Sequence, residues 1–137
     1  MDERMLTMEF EAHFRNVDIA RAALQGVSAE CFGKDTERAS DIIMAANEAM
    51  NNAVEHTGST TVTVEVGWNK KELRVLVMSD GPPFDPVAVA KGLSQEDILE
   101  RDEGGYGLYL IRELVDRFEY EHRDNRNIWK LYKLTGL

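Results

Sequence analysis

The stretch NEAMNNAVEHTG, residues 47–58, decides how the rest of the chain is read. Its alanines and methionines predict a helix, yet Glu48, Asn52 and His56 recur at every fourth position. With a period of about 3.6 residues, side chains at i, i+4 and i+8 lie on one face. An acid, an amide and an imidazole therefore form one polar row, which faces either water or something that needs ligands.

Working back from this row, the spacing predicts a helix from about Thr36 to His56. Ala39, Ile42, Ile43, Ala46, Ala49, Met50, Ala53 and Val54 form its core stripe, and Gly58 supplies the stop signal. Glu48 and Asn52 sit at the edge of that stripe. An earlier helix is expected over Val17 to Ala29, with Val17, Ala20, Leu24 and Val27 on one side, and a later one from Gly107 to Phe118, burying Leu108, Ile111, Leu114, Val115 and Phe118.

Four segments alternate as strands do. They are MLTMEFEA (5–12), TTVTVEVGW (60–68), ELRVLVMS (72–79) and NIWKLYKL (127–134), the last entered from the polar HRDNRN (122–127). ELRVLVMS is apolar on both faces beyond Arg74, as a central strand is. The sum is a single domain over residues 1–137 of the α+β class, a two-layer α/β sandwich with a mixed or antiparallel sheet. Trp68 and Trp129 are read as sheet-packing residues.

Composition narrows the function classes. The net charge is −9 and no Lys/Arg cluster offsets it, so direct binding to nucleic acid is not expected. The single cysteine, Cys31, offers no disulfide, no CxxC and no zinc spacing, and is expected as a buried or partly buried free thiol. No basic-then-apolar leader opens the sequence, and no apolar run approaches the roughly 18 residues that cross a bilayer. A cytoplasmic protein without a membrane partner is the expectation.

The segment from Asp80 to Gly107, DGPPFDPVAVAKGLSQEDILERDEGGYG, is rich in Gly, Pro and charge. So long a connection in a small domain is read as a functional loop or lid, over about residues 82–106. It ends in Gly104, Gly105 and Gly107, which lead into an apolar helix. Glycines allow close backbone approach and a helix start suits a phosphate, although the same pattern also serves as an ordinary cap. Taken together, the polar row, the DGPPFDP turn and the GGYGL entry can converge on one nucleotide. Mg²⁺ prefers hard oxygen ligands and keeps several waters, so the Asn52 amide oxygen and the phosphates would suffice to hold it. Glu48, one turn away, could accept a proton from an attacking hydroxyl or water. His56, at the helix end, is read as a structural residue.

The order NEAMNNAVEHTG, DGPPFDP, GGYGLYLIRELVD resembles the GHKL ATPases, the superfamily of gyrase, histidine kinases and mismatch-repair ATPases. Within it, the short chain, the E-A-x-x-N-A-x-x-H form of the first motif and the FDP after the second are similar to the anti-sigma-factor serine kinases of bacterial partner-switching systems. The resemblance runs from the first helix to the last strand. It implies the Bergerat-type ATP-binding fold, with helices covering one face of the sheet and the nucleotide between the helices and the lid. It implies Glu48 as catalytic base, Asn52 as Mg²⁺ ligand, and Gly105, Tyr106, Gly107 and Leu108 as the glycine box on the triphosphate. The implied reaction moves the γ-phosphoryl of ATP to a serine of a small anti-anti-sigma antagonist. The same domain would sequester a sigma factor and form a homodimer.

One motif departs from the family. Its members usually carry an Asp two residues before the glycine of DGPPFDP, where the carboxylate accepts a hydrogen bond from the adenine amino group. Here that position is Ser79, and the acid is Asp80, immediately before Gly81. Strand parity puts Ser79 with Leu73, Val75 and Val77, and Asp80 with Arg74, Leu76 and Met78. Two alternatives stand. The strand ends before Ser79 and Asp80 swings inward, or Ser79 meets adenine itself, replacing a charge-assisted contact with a neutral one and weakening binding by about 1 kcal/mol. Asp85 is read as a turn or N-cap residue and the acidic run after it as a solvated lid surface, the alternative being that Lys91 or Arg101 meets phosphates when the lid closes.

Two other readings compete. One is a degenerate binding module that holds partners without phosphotransfer, kept open by Ser79. The other is the ATP-binding half of a histidine kinase, which needs a dimerising helix with a phospho-accepting His, whereas the residues before Val17 read as a strand.

Overall fold

The computed structural model describes residues 3–84 and 111–135. In chain order the elements are β1 (Arg4–Glu11), α1 (Phe14–Phe32), α2 (Thr36–His56), β2 (Thr61–Trp68), β3 (Glu72–Asp80), β4 (Arg117–Arg123) and β5 (Arg126–Leu134). Residues 111–114 are also helical. The strands lie in the order β1-β2-β3-β5-β4, and every neighbouring pair is antiparallel. The sheet and its two long helices make an α+β two-layer structure.

Alternation decides which residues meet the helices. Val62, Val64 and Val66 of β2, Leu73, Val75 and Val77 of β3, and Trp129 and Leu131 of β5 are buried, and they pack with Val17, Ala20 and Leu24 of α1 and Ile42, Ala46, Ala49, Met50 and Ala53 of α2. The other face carries charge. Lys130 pairs with Glu121 at 3.0 Å, Arg126 with Asp80 at 3.6 Å, and the Arg117 guanidinium lies 3.8 Å over the Tyr132 ring. The bond to Lys130 holds the Glu121 carboxyl below its ordinary range. β1 is an edge strand, and its apolar face is covered unevenly. Leu6 is exposed while Met8 and Phe10 are half-buried.

Three expectations need correction. The first helix is longer than Val17 to Ala29 at both ends, running from Phe14 to Phe32. A fifth strand, β4, was hidden in RFEYEHR. Its Phe118, Tyr120 and His122 pair across from Leu131, Trp129 and Asn127. Phe118 therefore belongs to a strand, not to the third helix. The helix ends by Leu114, whose carbonyl accepts a 2.7 Å bond from the buried Lys133 ammonium, and the Asp116 N–H already donates to the Tyr132 carbonyl in the sheet. The start of that helix lies outside the described residues.

Cys31 is a free, half-buried thiol, pushed up to about 11 by burial and then by the adjacent Glu30 carboxylate. Trp129 is a core residue, and the Trp68 indole N–H donates to Glu30. Among the described residues no helix is long and apolar enough to cross a membrane.

β4 and β5 are joined by Asp124 and Asn125, with φ of 56° and 59°. Two left-handed residues in succession match the primed turn that suits strand twist. Asn125→Val should cost about 1–2 kcal/mol in urea denaturation, since a β-branched side chain resists that backbone. Asn125→Gly should leave the midpoint nearly unchanged.

Candidate functional site

Two elements carry the polar residues singled out above, α2 and the end of β3. α2 starts at Asp35, whose carboxylate accepts the Arg38 N–H at 3.2 Å. It closes where Thr57 Oγ1 donates to the Ala53 carbonyl at 2.6 Å and Gly58, at φ 73°, turns the chain. Between these ends the row of Glu48, Asn52 and His56 runs down one side. Glu48 is half-buried. Asn52 is only 5% exposed, and its Nδ2 has no hydrogen-bond partner in the protein. The His56 ring lies parallel to Phe84, with centroids 5.0 Å apart and planes 8° off, so its role in the fold is to stack on the turn after β3.

β3 does not end before Ser79 but continues to Asp80. Ser79 points to the helices, 2% exposed, between Val62 of β2 and Asn127 of β5, and its hydroxyl has no partner. Asp80 is on the opposite face, exposed, with its carboxylate beside Arg126. The first alternative, an inward Asp80, is not the arrangement of this structure. Asp80 instead lines an outer-face cavity of about 580 Å³ with Leu76, Met78, Arg126, Ile128 and Lys130, away from Asn52 and Ser79.

The turn that follows is fastened from three sides. Gly81 has φ 137°, and a Cβ there would lie 2.4 Å from the Thr57 carbonyl oxygen at the end of α2. Its N–H donates to the Asn125 carbonyl at 2.9 Å, and His122 Nε2 lies 2.9 Å from its own carbonyl. Asn127 is wholly buried. Its Oδ1 accepts the Phe84 N–H at 2.8 Å and the Tyr120 hydroxyl, and its Nδ2 donates to the Pro82 carbonyl at 2.9 Å. Phe84 also meets the edge of Trp129, centroids 6.4 Å apart. Asn127, Tyr120 and His122 hold the turn beside the candidate site, and sequence reasoning passed over them. The available signal was parity, which sets Asn127 across from Ser79 once the hairpin is recognised.

The structure thus stacks His56 on Phe84 and sets Gly81 against the end of α2, buries Asn52 on α2 and Ser79 on the inner face of β3, with Glu48 one helical turn from Asn52, and turns Asp80 away. Gly105, Tyr106, Gly107 and Leu108, and with them Asp85, Lys91 and Arg101, lie outside the described residues. Among the described residues no three His, Cys, Asp or Glu side chains are placed to hold a metal. A buried amide and a buried hydroxyl without partners each cost stability unless a ligand completes them. Turning the Asn52 amide exchanges its oxygen for its nitrogen, so it can present either a donor or a hard oxygen ligand.

The profile of the histidine kinase-like ATPase domain matches residues 10–133. The serine-protein kinase RsbW of Bacillus licheniformis is 31% identical over 119 residues, which span 81% of this chain and 74% of that protein. RsbW of Bacillus subtilis is 27% identical over 139 residues, covering 96% and 86%. Among solved structures, the RsbU and RsbW domains of Rv1364c from Mycobacterium tuberculosis superpose with a TM-score of 0.69 at 22% identity, over 96% of this chain but only 32% of that longer one. The catalytic domain of histidine kinase ThkA superposes at 0.52 with 15% identity, covering 96% and 98%. At these identities the superpositions show the fold.

Replacing Asn127 with Leu strands the Pro82 carbonyl and leaves the Phe84 N–H to Tyr120 alone. We expect a loss of about 1–3 kcal/mol and faster amide exchange concentrated at residues 81–84. Exchange that rises uniformly across the sheet would contradict a local clamp.

Proposed function

Because this chain belongs to the histidine kinase-like ATPase domain family, on the branch of the anti-sigma-factor serine kinases, we propose that it binds Mg-ATP and phosphorylates a serine of a small anti-anti-sigma antagonist. In the same reading it holds a sigma factor, forms a homodimer and works in the cytoplasm as one domain. The observation that carries the proposal is the pair of buried, unpartnered polar groups, Asn52 and Ser79, on facing elements, with the Glu48 carboxylate one turn from Asn52. The relatives' name, serine-protein kinase, supports the reaction type.

Bound Mg-ATP would supply the transferable phosphoryl group. Asn52 would hold the metal through its amide oxygen, with phosphate oxygens and water completing a shell that needs few protein ligands. Glu48 would accept the proton of the serine hydroxyl. Ser79 would meet the base, and Gly81 would let the turn lie against the end of α2. Gly105, Tyr106, Gly107 and Leu108 would hold the phosphates through backbone N–H groups. One observation favours the alternative of a catalytically degenerate binding module. Ser79 offers a neutral contact where a carboxylate would give a charge-assisted one.

Titration calorimetry with ATP and Mg²⁺ should give saturable heat, and Asn52→Ala should abolish or greatly weaken it while circular dichroism stays native. No heat from folded wild-type protein would leave the binding module as the reading. Glu48→Gln should keep nucleotide binding and lose phosphotransfer to serine by about 10²-fold or more, since general-base catalysis contributes factors of that order. Transfer to a histidine instead would favour the histidine-kinase reading.

A further inference from the structure

The chemistry of the base contact goes further than the choice of ATP. Among the described residues the inner face of the sheet carries no carboxylate. Facing the helices are Leu6, Met8 and Phe10 of β1, the valines of β2, Leu73 to Ser79 on alternate positions of β3, Asn127 to Lys133 likewise on β5, and Phe118, Tyr120 and His122 of β4. Around Ser79 the other polar groups are already engaged. Thr57 Oγ1 donates to Ala53, the Asn127 amide is spent on Pro82, Phe84 and Tyr120, and His122 Nε2 is at the Gly81 carbonyl. The unpartnered groups left on this side are the Ser79 hydroxyl and two N–H donors, Asn52 Nδ2 and Trp129 Nε1. Asp80, the nearest acid in the chain, is on the far face with Arg126.

A carboxylate only accepts hydrogen bonds, whereas a hydroxyl both donates and accepts and turns to suit its partner. We infer that this site does not discriminate at the 6-position of a purine, so that it takes 6-oxopurine nucleotides as well as 6-aminopurine ones. This rests on the nucleotide-binding reading above. Toward a 6-amino group the Ser79 oxygen accepts. Toward a 6-oxo group the same hydroxyl rotates and donates, and among the described residues no carboxylate on the inner face repels the oxygen. Inosine triphosphate is the probe, because it lacks the 2-amino group of guanine; it exchanges the adenine N1 acceptor for an N1–H donor together with the 6-position.

The test is calorimetric titration of the full chain with ATP and with ITP, each with Mg²⁺. The expected result is dissociation constants within about threefold of one another, since one neutral hydrogen bond is exchanged for another. Ser79→Asp should separate them, with ITP losing at least about tenfold relative to ATP as acceptor meets acceptor. Should a buried aspartate prevent folding, Ser79→Ala replaces it and should weaken both nucleotides by the same factor. ATP binding with ITP rejected by more than about tenfold in the wild type, or a Ser79→Ala effect confined to ATP, would overturn the inference and leave the kinase reading intact. A folded protein that binds neither nucleotide would overturn that reading and this inference with it.

Discussion

A strand bonded to neighbours along both edges cannot rotate by one residue without breaking every ladder bond, and β3 is held in this way between β2 and β5 over nearly its whole length. That constraint fixes the site. It sets Ser79 under the helices and Asp80 on the open face, and it aligns one row across four strands, namely Val62, Ser79, Asn127 and His122. The turn of Gly81 to Phe84 lies over this row and takes its shape from it. If β3 slipped by one residue, the clamp and the base contact would be lost together.

The row divides its polar groups between two uses. Asn127 and His122 satisfy backbone groups and so fasten the turn to the hairpin, while Gly81 packs against the Thr57 carbonyl at the end of α2. The Ser79 hydroxyl and Asn52 Nδ2 have no partner among the described residues. Each unpaired buried group costs about 1–3 kcal/mol, a penalty that a site accepts when a ligand removes it. Lack of a partner does not by itself mark a ligand site, because Ser28 Oγ in α1 and Trp129 Nε1 also lack one. Asn52 and Ser79 differ from these in offering an amide and a hydroxyl on facing elements, α2 and β3, with Glu48 one turn from Asn52.

Legibility in the sequence followed the range of the forces involved. α2 could be read to its ends because its signals are local, a regular apolar stripe and a glycine stop. The parity of Ser79 and Asp80 was equally local. β4 escaped because its Phe118, Tyr120 and His122 alternate with charged residues that also suit a solvated helix end, and because its turn is Asp124–Asn125, without the glycine that usually signals a hairpin. The clamp was beyond reach, since Asn127 bonds to residues more than forty positions earlier. Nothing in its immediate neighbours distinguishes it from a strand-opening asparagine.

The spacing between the two unpartnered groups depends in turn on residues that take no part in chemistry. Ala45, Ala46, Ala49 and Ala53 are all 0–1% exposed where α2 packs into the core. Side chains this short let a helix backbone approach the strands closely, and a close-packed interior transmits any added volume as a shift of the whole element. Asn52 is neighbour to Ala53 on α2, while Ser79 follows Val77 and Met78 on β3. Thickening the alanine stripe would therefore lift one half of the site from the other without touching either group. The alanines that first suggested a helix in NEAMNNAVEHTG are thus also part of what sets the position of its polar row in the packed domain.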